Sequence, residues 1–131
     1  MKIKTAGYYL IGLYLLILIL TACAVSSDTP AQTVELYYQA LVEKDQERLV
    51  NLSCSEWEAT ALLTLDSFSN VDASLVDVAC ETTEDEGTAA KVTCEGAISA
   101  TYDGEAREFP LSGQYYRVIQ EGGEWRMCGY E

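Results

Sequence analysis

The chain of 131 residues contains no histidine, two prolines and eight basic residues against 21 acidic ones. Without histidine it lacks the commonest general base and the commonest neutral metal ligand. The shortage of positive charge leaves a net balance of −13. A surface of that sign repels phosphate backbones and anionic headgroups, which excludes nucleic acid as a partner and a polybasic contact as the route to a membrane. No internal repeat is visible, and no low-complexity run exceeds a short stretch near the amino end.

One long apolar run is present. Lys2 and Lys4 precede residues 6–20, and Thr21-Ala22-Cys23 follows, which is the order of a secretory signal: positive segment, apolar segment, small-residue boundary. Leu20-Thr21-Ala22-Cys23 resembles the lipobox of bacterial lipoproteins at all four positions. That resemblance implies cleavage before Cys23 and a diacylglyceryl thioether on its sulfur, so residues 1–22 are signal and residues 23–28 are the lipidated cysteine and a short polar tether. Two or more acyl chains hold a protein stably on a bilayer where one does so only marginally. The alternative is an uncleaved anchor, because residues 6–25 are long enough to span at about 20 residues. Both readings place the remainder at the extracytoplasmic face of the cell membrane.

Residues 29–131 amount to one domain. The mature chain from Cys23, without the two signal lysines, carries six basic residues against 21 acidic ones, a balance of −15. Cys54, Cys80, Cys94 and Cys128 remain, an even count in an exported domain, which reads as two disulfides with three possible pairings. Intervals of 26, 14 and 34 residues and the missing histidine do not make a zinc site, and no cofactor or metal is expected.

Thr29-Pro30-Ala31-Gln32 combines an N-cap hydroxyl, proline at the first helical position and a glutamine placed for a capping box. The spacing of Val34, Tyr37, Tyr38, Leu41 and Val42 then predicts a helix with Glu35, Gln39 and Glu43 outside. Leu49, Val50 and Leu52 suggest a short second helix. Ser55-Glu56-Trp57-Glu58 repeats the capping pattern before a third, carrying Trp57, Ala61, Leu62, Leu65 and Phe68 on one side. After Asn70 the period becomes two. Val76, Val78 and Cys80 mark a first strand, and Ala90, Val92, Cys94, Gly96, Ile98, Ala100 and Tyr102 the inner face of a long second one. Asp103-Gly104 is a hairpin turn, a third strand is expected over residues 109–120, and a fourth over 125–130 after Gly122-Gly123.

The expected fold is therefore α+β: three amino-terminal helices covering one face of a curved, four-strand antiparallel meander, with Gly96 and Gly113 as bending points. In this arrangement the chain resembles the NTF2-like (cystatin-like α+β) superfamily, particularly its small exported lipoproteins. The carriers are the helical start over residues 29–41, the strand pair around Tyr102-Asp103-Gly104-Glu105, and the ending from Tyr115-Tyr116-Arg117 to Trp125-Arg126-Met127-Cys128. That superfamily includes isomerases, dehydratases, transport factors and binding or assembly modules, so the resemblance implies a fold more than an activity.

Cys80 and Cys94 share a face of two strands joined by one hairpin, which favours Cys80–Cys94 and leaves Cys54–Cys128. The family's proton-transfer enzymes need a carboxylate inside the cone. Asp66, Asp72 or Asp103 with Tyr38, Tyr102 or Tyr115 are the available combinations, outweighed by solvated acids and packed rings. Glu84-Asp85-Glu86 reads as a solvated hairpin tip rather than a calcium loop, and Arg107, Arg117 and Arg126 as strand-surface partners of glutamates rather than an anion pocket. The sequence thus points to a lipid-anchored, non-catalytic binding or interaction module. Its membrane contact is lipidated Cys23, and its partner is a protein or a small apolar ligand. If a ligand pocket is present, its expected lining is Tyr37, Tyr38, Trp57, Tyr102, Tyr115 and Trp125. Replacing Cys23 by Ser is expected to abolish lipid labelling and signal cleavage in the exporting cell, and unchanged processing on gels would refute the lipid reading.

Overall fold

Thr29 starts the first helix as its side chain predicts: its Oγ1 accepts from the Gln32 N–H at 3.2 Å, and Pro30 opens α1 (Pro30–Glu43). These are the first residues that the computed structural model describes, 29–131; the expected signal, Cys23 and the tether lie outside them. Lys44 ends α1 in the left-handed region (φ 59°) with its N–H on the Leu41 carbonyl. Asp45 then caps α2 (Gln46–Asn51) by accepting from the Arg48 N–H at 3.1 Å. The third helix, α3 (Glu58–Ser67), begins at a turn in which the Trp57 and Glu58 N–H groups reach the Cys54 carbonyl. The expected capping box does not form there. Ser55 instead turns its N–H and hydroxyl to the Glu121 carboxylate, an acceptor supplied by the sheet. No helix among the described residues is long and apolar enough to cross a membrane.

Five strands follow rather than four: β1 (Asp72–Asp85), β2 (Ala89–Tyr102), β3 (Glu105–Pro110), β4 (Tyr116–Glu121) and β5 (Glu124–Tyr130). The sheet runs β1-β2-β4-β5, and β3 also pairs with β2. The single third strand expected over residues 109–120 is interrupted because Pro110 has no N–H to donate and Gly113 (φ 86°) turns the chain away. Between them the Leu111 N–H returns to the Gly96 carbonyl. Asp103 and Gly104, both at positive φ, form the predicted two-residue hairpin between paired Tyr102 and Glu105.

Where the β1–β2 register passes from Val76↔Ala97 to Ala79↔Glu95, two residues of β1 oppose one of β2. This is a β-bulge, with Asp77 at φ 50° and Gly96 at φ 89°. It bends β2 so that its first half pairs with β4 and its second half with β3. The helical layer covers the concave face, burying Val34, Tyr37, Tyr38 and Leu41 of α1 against Val92, Ile98, Val118 and Met127. Glu35, expected outside, is half-buried, and its Oε1 accepts from the Cys80 N–H at 2.8 Å. β1 is an edge strand, and an edge N–H covered by a helix needs an acceptor.

A Cβ on residue 96 would stand 2.5 Å from the carbonyl oxygens of Val76 and Asp77, whereas one on Gly87, at a similar φ, would meet nothing. Gly96→Ala is therefore expected to cost about 3 kcal/mol or more in urea unfolding, and Gly87→Ala only the left-handed penalty of about 1–2 kcal/mol. Equal losses would remove the bulge from its role.

Candidate functional site

Between the helical layer and the sheet lies an open cavity of about 340 Å³, within the range of small-molecule sites at about 300–1,000 Å³. α1 contributes Tyr37, Tyr38 and Leu41, and the turn before α3 contributes Trp57. Thr64, Ser67 and Phe68 come from α3 and its end. The sheet supplies Ile98 and Tyr102 from β2, Phe109 and Pro110 from β3, and Met127 and Tyr130 from β5, while Leu111 and Gln114 come from the β3–β4 connection.

The rings pack edge to face. Centroids are 5.4 Å apart for Tyr37–Tyr38, 5.6 Å for Tyr38–Tyr116, 5.7 Å for Trp57–Tyr130 and 6.4 Å for Tyr102–Phe109, the geometry that ring quadrupoles favour. Their polar tips form two small networks. In one, Trp57 Nε1–H donates to the Tyr37 hydroxyl oxygen at 3.2 Å, which leaves the Tyr37 O–H as a donor. In the other, the Tyr116 hydroxyl donates to the Leu111 carbonyl at 2.9 Å and accepts from Gln114 Nε2 at 2.6 Å. Burial raises the pKa of the Tyr38 phenol, and the neighbouring Tyr116 hydroxyl raises it further. Burial also raises that of Tyr37, against a smaller opposing effect of the Trp57 N–H. Both phenols are therefore neutral donors at physiological pH.

Four of the six rings expected in the lining, Tyr37, Tyr38, Trp57 and Tyr102, are there. Tyr115 is not: Tyr116 takes the inward position, so its neighbour alternates to the outer face, exposed, with the Lys91 ammonium 6.0 Å from its ring centroid. Trp125 shares a face with Met127 but stands two residues nearer the β4–β5 hairpin, half-buried against the edge of the core. The sequence reading missed Phe109 and Tyr130, whose side chains reach the cavity because β3 stops at Pro110 and β5 changes register near its end.

Among the described residues no Asp, Glu, Lys or Arg lines this cavity. Asp66, Asp72 and Asp103 are all exposed. Arg117 pairs with Glu56 at 3.3 Å, and Arg126 with Glu124 at 3.0 Å and with the Asn51 carbonyl, while Arg107 sits on the exposed β3. At the hairpin tip Glu84 meets Lys91 at 3.3 Å, and Asp85 accepts from the Gly87 N–H. Disulfides join Cys54 to Cys128 and Cys80 to Cys94, with Cα atoms 5.3 and 4.1 Å apart. Cys54, Glu56 and Cys128 bring potential metal ligands together, but both sulfurs are used in the disulfide.

No protein-family profile and no curated protein matches the sequence. The fold has counterparts among solved structures. An NTF2-like protein with a cystatin-like fold from Novosphingobium aromaticivorans superposes with a TM-score of 0.55 at 13% identity, covering 99% of this chain and 90% of that one. A SEC-C motif containing protein from Rhodopseudomonas palustris gives 0.56 at 14% identity, covering 81% and 80%. The intermembrane space region of the chloroplast protein ARC6 gives 0.56 at 12%, covering 81% and 95%. The fold is thus NTF2-like and cystatin-like, and at such identities the likeness speaks of the fold alone.

Because both phenols titrate above their ordinary value of 10.0, the folded state holds these protons more tightly than the unfolded one. Their contribution is complete below pH 10 and is lost as pH rises beyond it. Tyr38→Phe is expected to make the alkaline fall in stability shallower. Urea midpoints measured through the alkaline range check this, and an unchanged slope would contradict it.

Proposed function

We propose that the protein is a lipid-anchored, extracytoplasmic binding protein whose cavity takes a small, neutral, mainly apolar molecule carrying a hydrogen-bond acceptor. The observation that carries the proposal is the cavity itself. Tyr37, Tyr38, Trp57 and Tyr102 line about 340 Å³ from both layers without a charged side chain among them, the pattern of apolar walls and few convergent polar groups that small-molecule sites share. The Tyr37 O–H, oriented by Trp57, is the donor to which a carbonyl or ether oxygen would bind. Proton-transfer chemistry of the family's type would need a carboxylate in this place, and the lining has none, which favours binding over turnover. Two disulfides suit an oxidising compartment, and the lipobox-like residues 20–23 supply the anchor.

The test is titration with prodan, a neutral naphthalene ketone, followed by energy transfer from tryptophan so that only protein-bound dye is counted. Saturable binding is expected. Tyr37→Phe should weaken it by roughly tenfold, the worth of one buried hydrogen bond, and Ile98→Trp, which fills the cavity, should abolish it while far-UV ellipticity is retained. Binding indifferent to Ile98→Trp would place the dye elsewhere and reject the proposal.

A further inference from the structure

Cys54 stands three residues before Trp57, and Cys128 two before Tyr130. The bridge between them therefore carries on its two arms the two rings that meet edge to face at 5.7 Å beside the cavity. Beside the bridge the backbones are joined as well, by the Cys54 N–H on the Met127 carbonyl at 2.8 Å and the Met127 N–H on the Leu52 carbonyl at 2.7 Å, and the two rings stand beyond these bonds. Trp57 occupies the N-cap position of α3 without a side-chain cap, and Tyr130 lies at the end of the last strand, exposed, with only the Tyr115–Glu131 backbone pair beyond it. Gly129 lies beneath the indole, where a Cβ would come 3.6 Å from two of its ring carbons. Trp57 thus lies against the residue next to the sulfur-bearing one. Among the described residues Cys54–Cys128 is also the disulfide that ties the helical layer to the sheet, since Cys80–Cys94 joins two adjacent strands within it.

We infer that the Cys54–Cys128 disulfide is a positioning device for the cavity. By fixing the helical layer to β5 it holds Trp57 against Tyr130 and, through the indole N–H, holds the Tyr37 hydroxyl. A crosslink whose role was only to stabilise the chain would act on every part of the fold together. A crosslink between the two walls of a cavity sets their separation, and with it the fit of whatever lies between. The inference rests on the cavity being the binding site, but its effect on Trp57 precedes any ligand.

The experiment uses the full chain in detergent with Trp125→Phe, which leaves Trp57 as the sole indole. Two disulfide-deletion variants are compared, C54A/C128A and C80A/C94A. Loss of the interlayer bridge is expected to raise acrylamide quenching of Trp57 about twofold and to weaken prodan transfer about tenfold, as befits a site whose support has loosened. Loss of the within-sheet bridge should leave both readings as in the parent. Equal effects from the two deletions, or an unchanged Trp57 in C54A/C128A, would overturn the inference. If C54A/C128A does not fold, the parent is reduced with dithiothreitol and read before ellipticity falls, with mass spectrometry reporting which bridge has opened. A parent that transfers no energy to prodan would reject the ligand reading, and the quenching comparison would still decide the role of the bridge.

Discussion

The bend of β2 at Gly96 is the constraint on which the remaining architecture depends. β2 pairs with three other strands, β1 along one side and β4 and then β3 along the other, so any change in its course is transmitted to the whole sheet. The bend exists because one residue of β2 faces two of β1, and because neither the close approach of the Val76 and Asp77 carbonyls nor the positive φ tolerates a side chain there. On the near side of the bend the sheet lies close under α1 and the core is closed around Val34, Val92 and Val118. On the far side Ile98, Tyr102, Phe109 and Pro110 join Tyr37, Tyr38 and Leu41 of α1 around the aromatic cavity.

Much of this was legible in the sequence, wherever a local rule had no competitor. Thr29-Pro30 and Asp103-Gly104 act through their own backbone and side-chain chemistry, and the period of the apolar residues identified the faces of α1 and β2. The errors arose where a distant group supplied a better partner. Ser55 turned from helix capping to the carboxylate of Glu121, more than sixty residues away. Glu35, polar on a helix and so assigned to solvent, was drawn inward by an unpaired N–H of the edge strand. The break at Pro110 and Gly113 was marked by the two residue types that most readily interrupt a strand, yet the apolar residues on either side concealed it.

The same distinction separates the readable part of the candidate site from the unreadable part. Tyr37, Tyr38 and Tyr102 reach the cavity because they stand on the inner faces of long regular elements, where period determines direction. Tyr115 and Trp125 depend on details that period cannot carry: which of two adjacent tyrosines turns inward after an irregular segment, and how far along a short strand the cavity extends. The disulfide pairing was legible for the first of these reasons, since Cys80 and Cys94 occupy paired positions on one face and the remaining two cysteines had only each other.

Charge is distributed in a way that bears on what the cavity can hold. The acidic excess lies on exposed positions, with Glu56, Glu84 and Glu124 partnered by the few available cations, while among the described residues the aromatic walls carry no ionised group. An anion approaching this surface meets a repulsive field. A cation is drawn to the surface but would find no counter-charge inside to offset its loss of water. A neutral molecule meets neither barrier and gains from transferring its apolar surface out of water, at about 25 cal/mol per Å². The Tyr116 hydroxyl is committed to Gln114 and to the Leu111 carbonyl, so it gives the walls rigidity rather than affinity. Selectivity then falls to the shape of the ring-lined space and to lining hydroxyls such as that of Tyr37, which Trp57 orients.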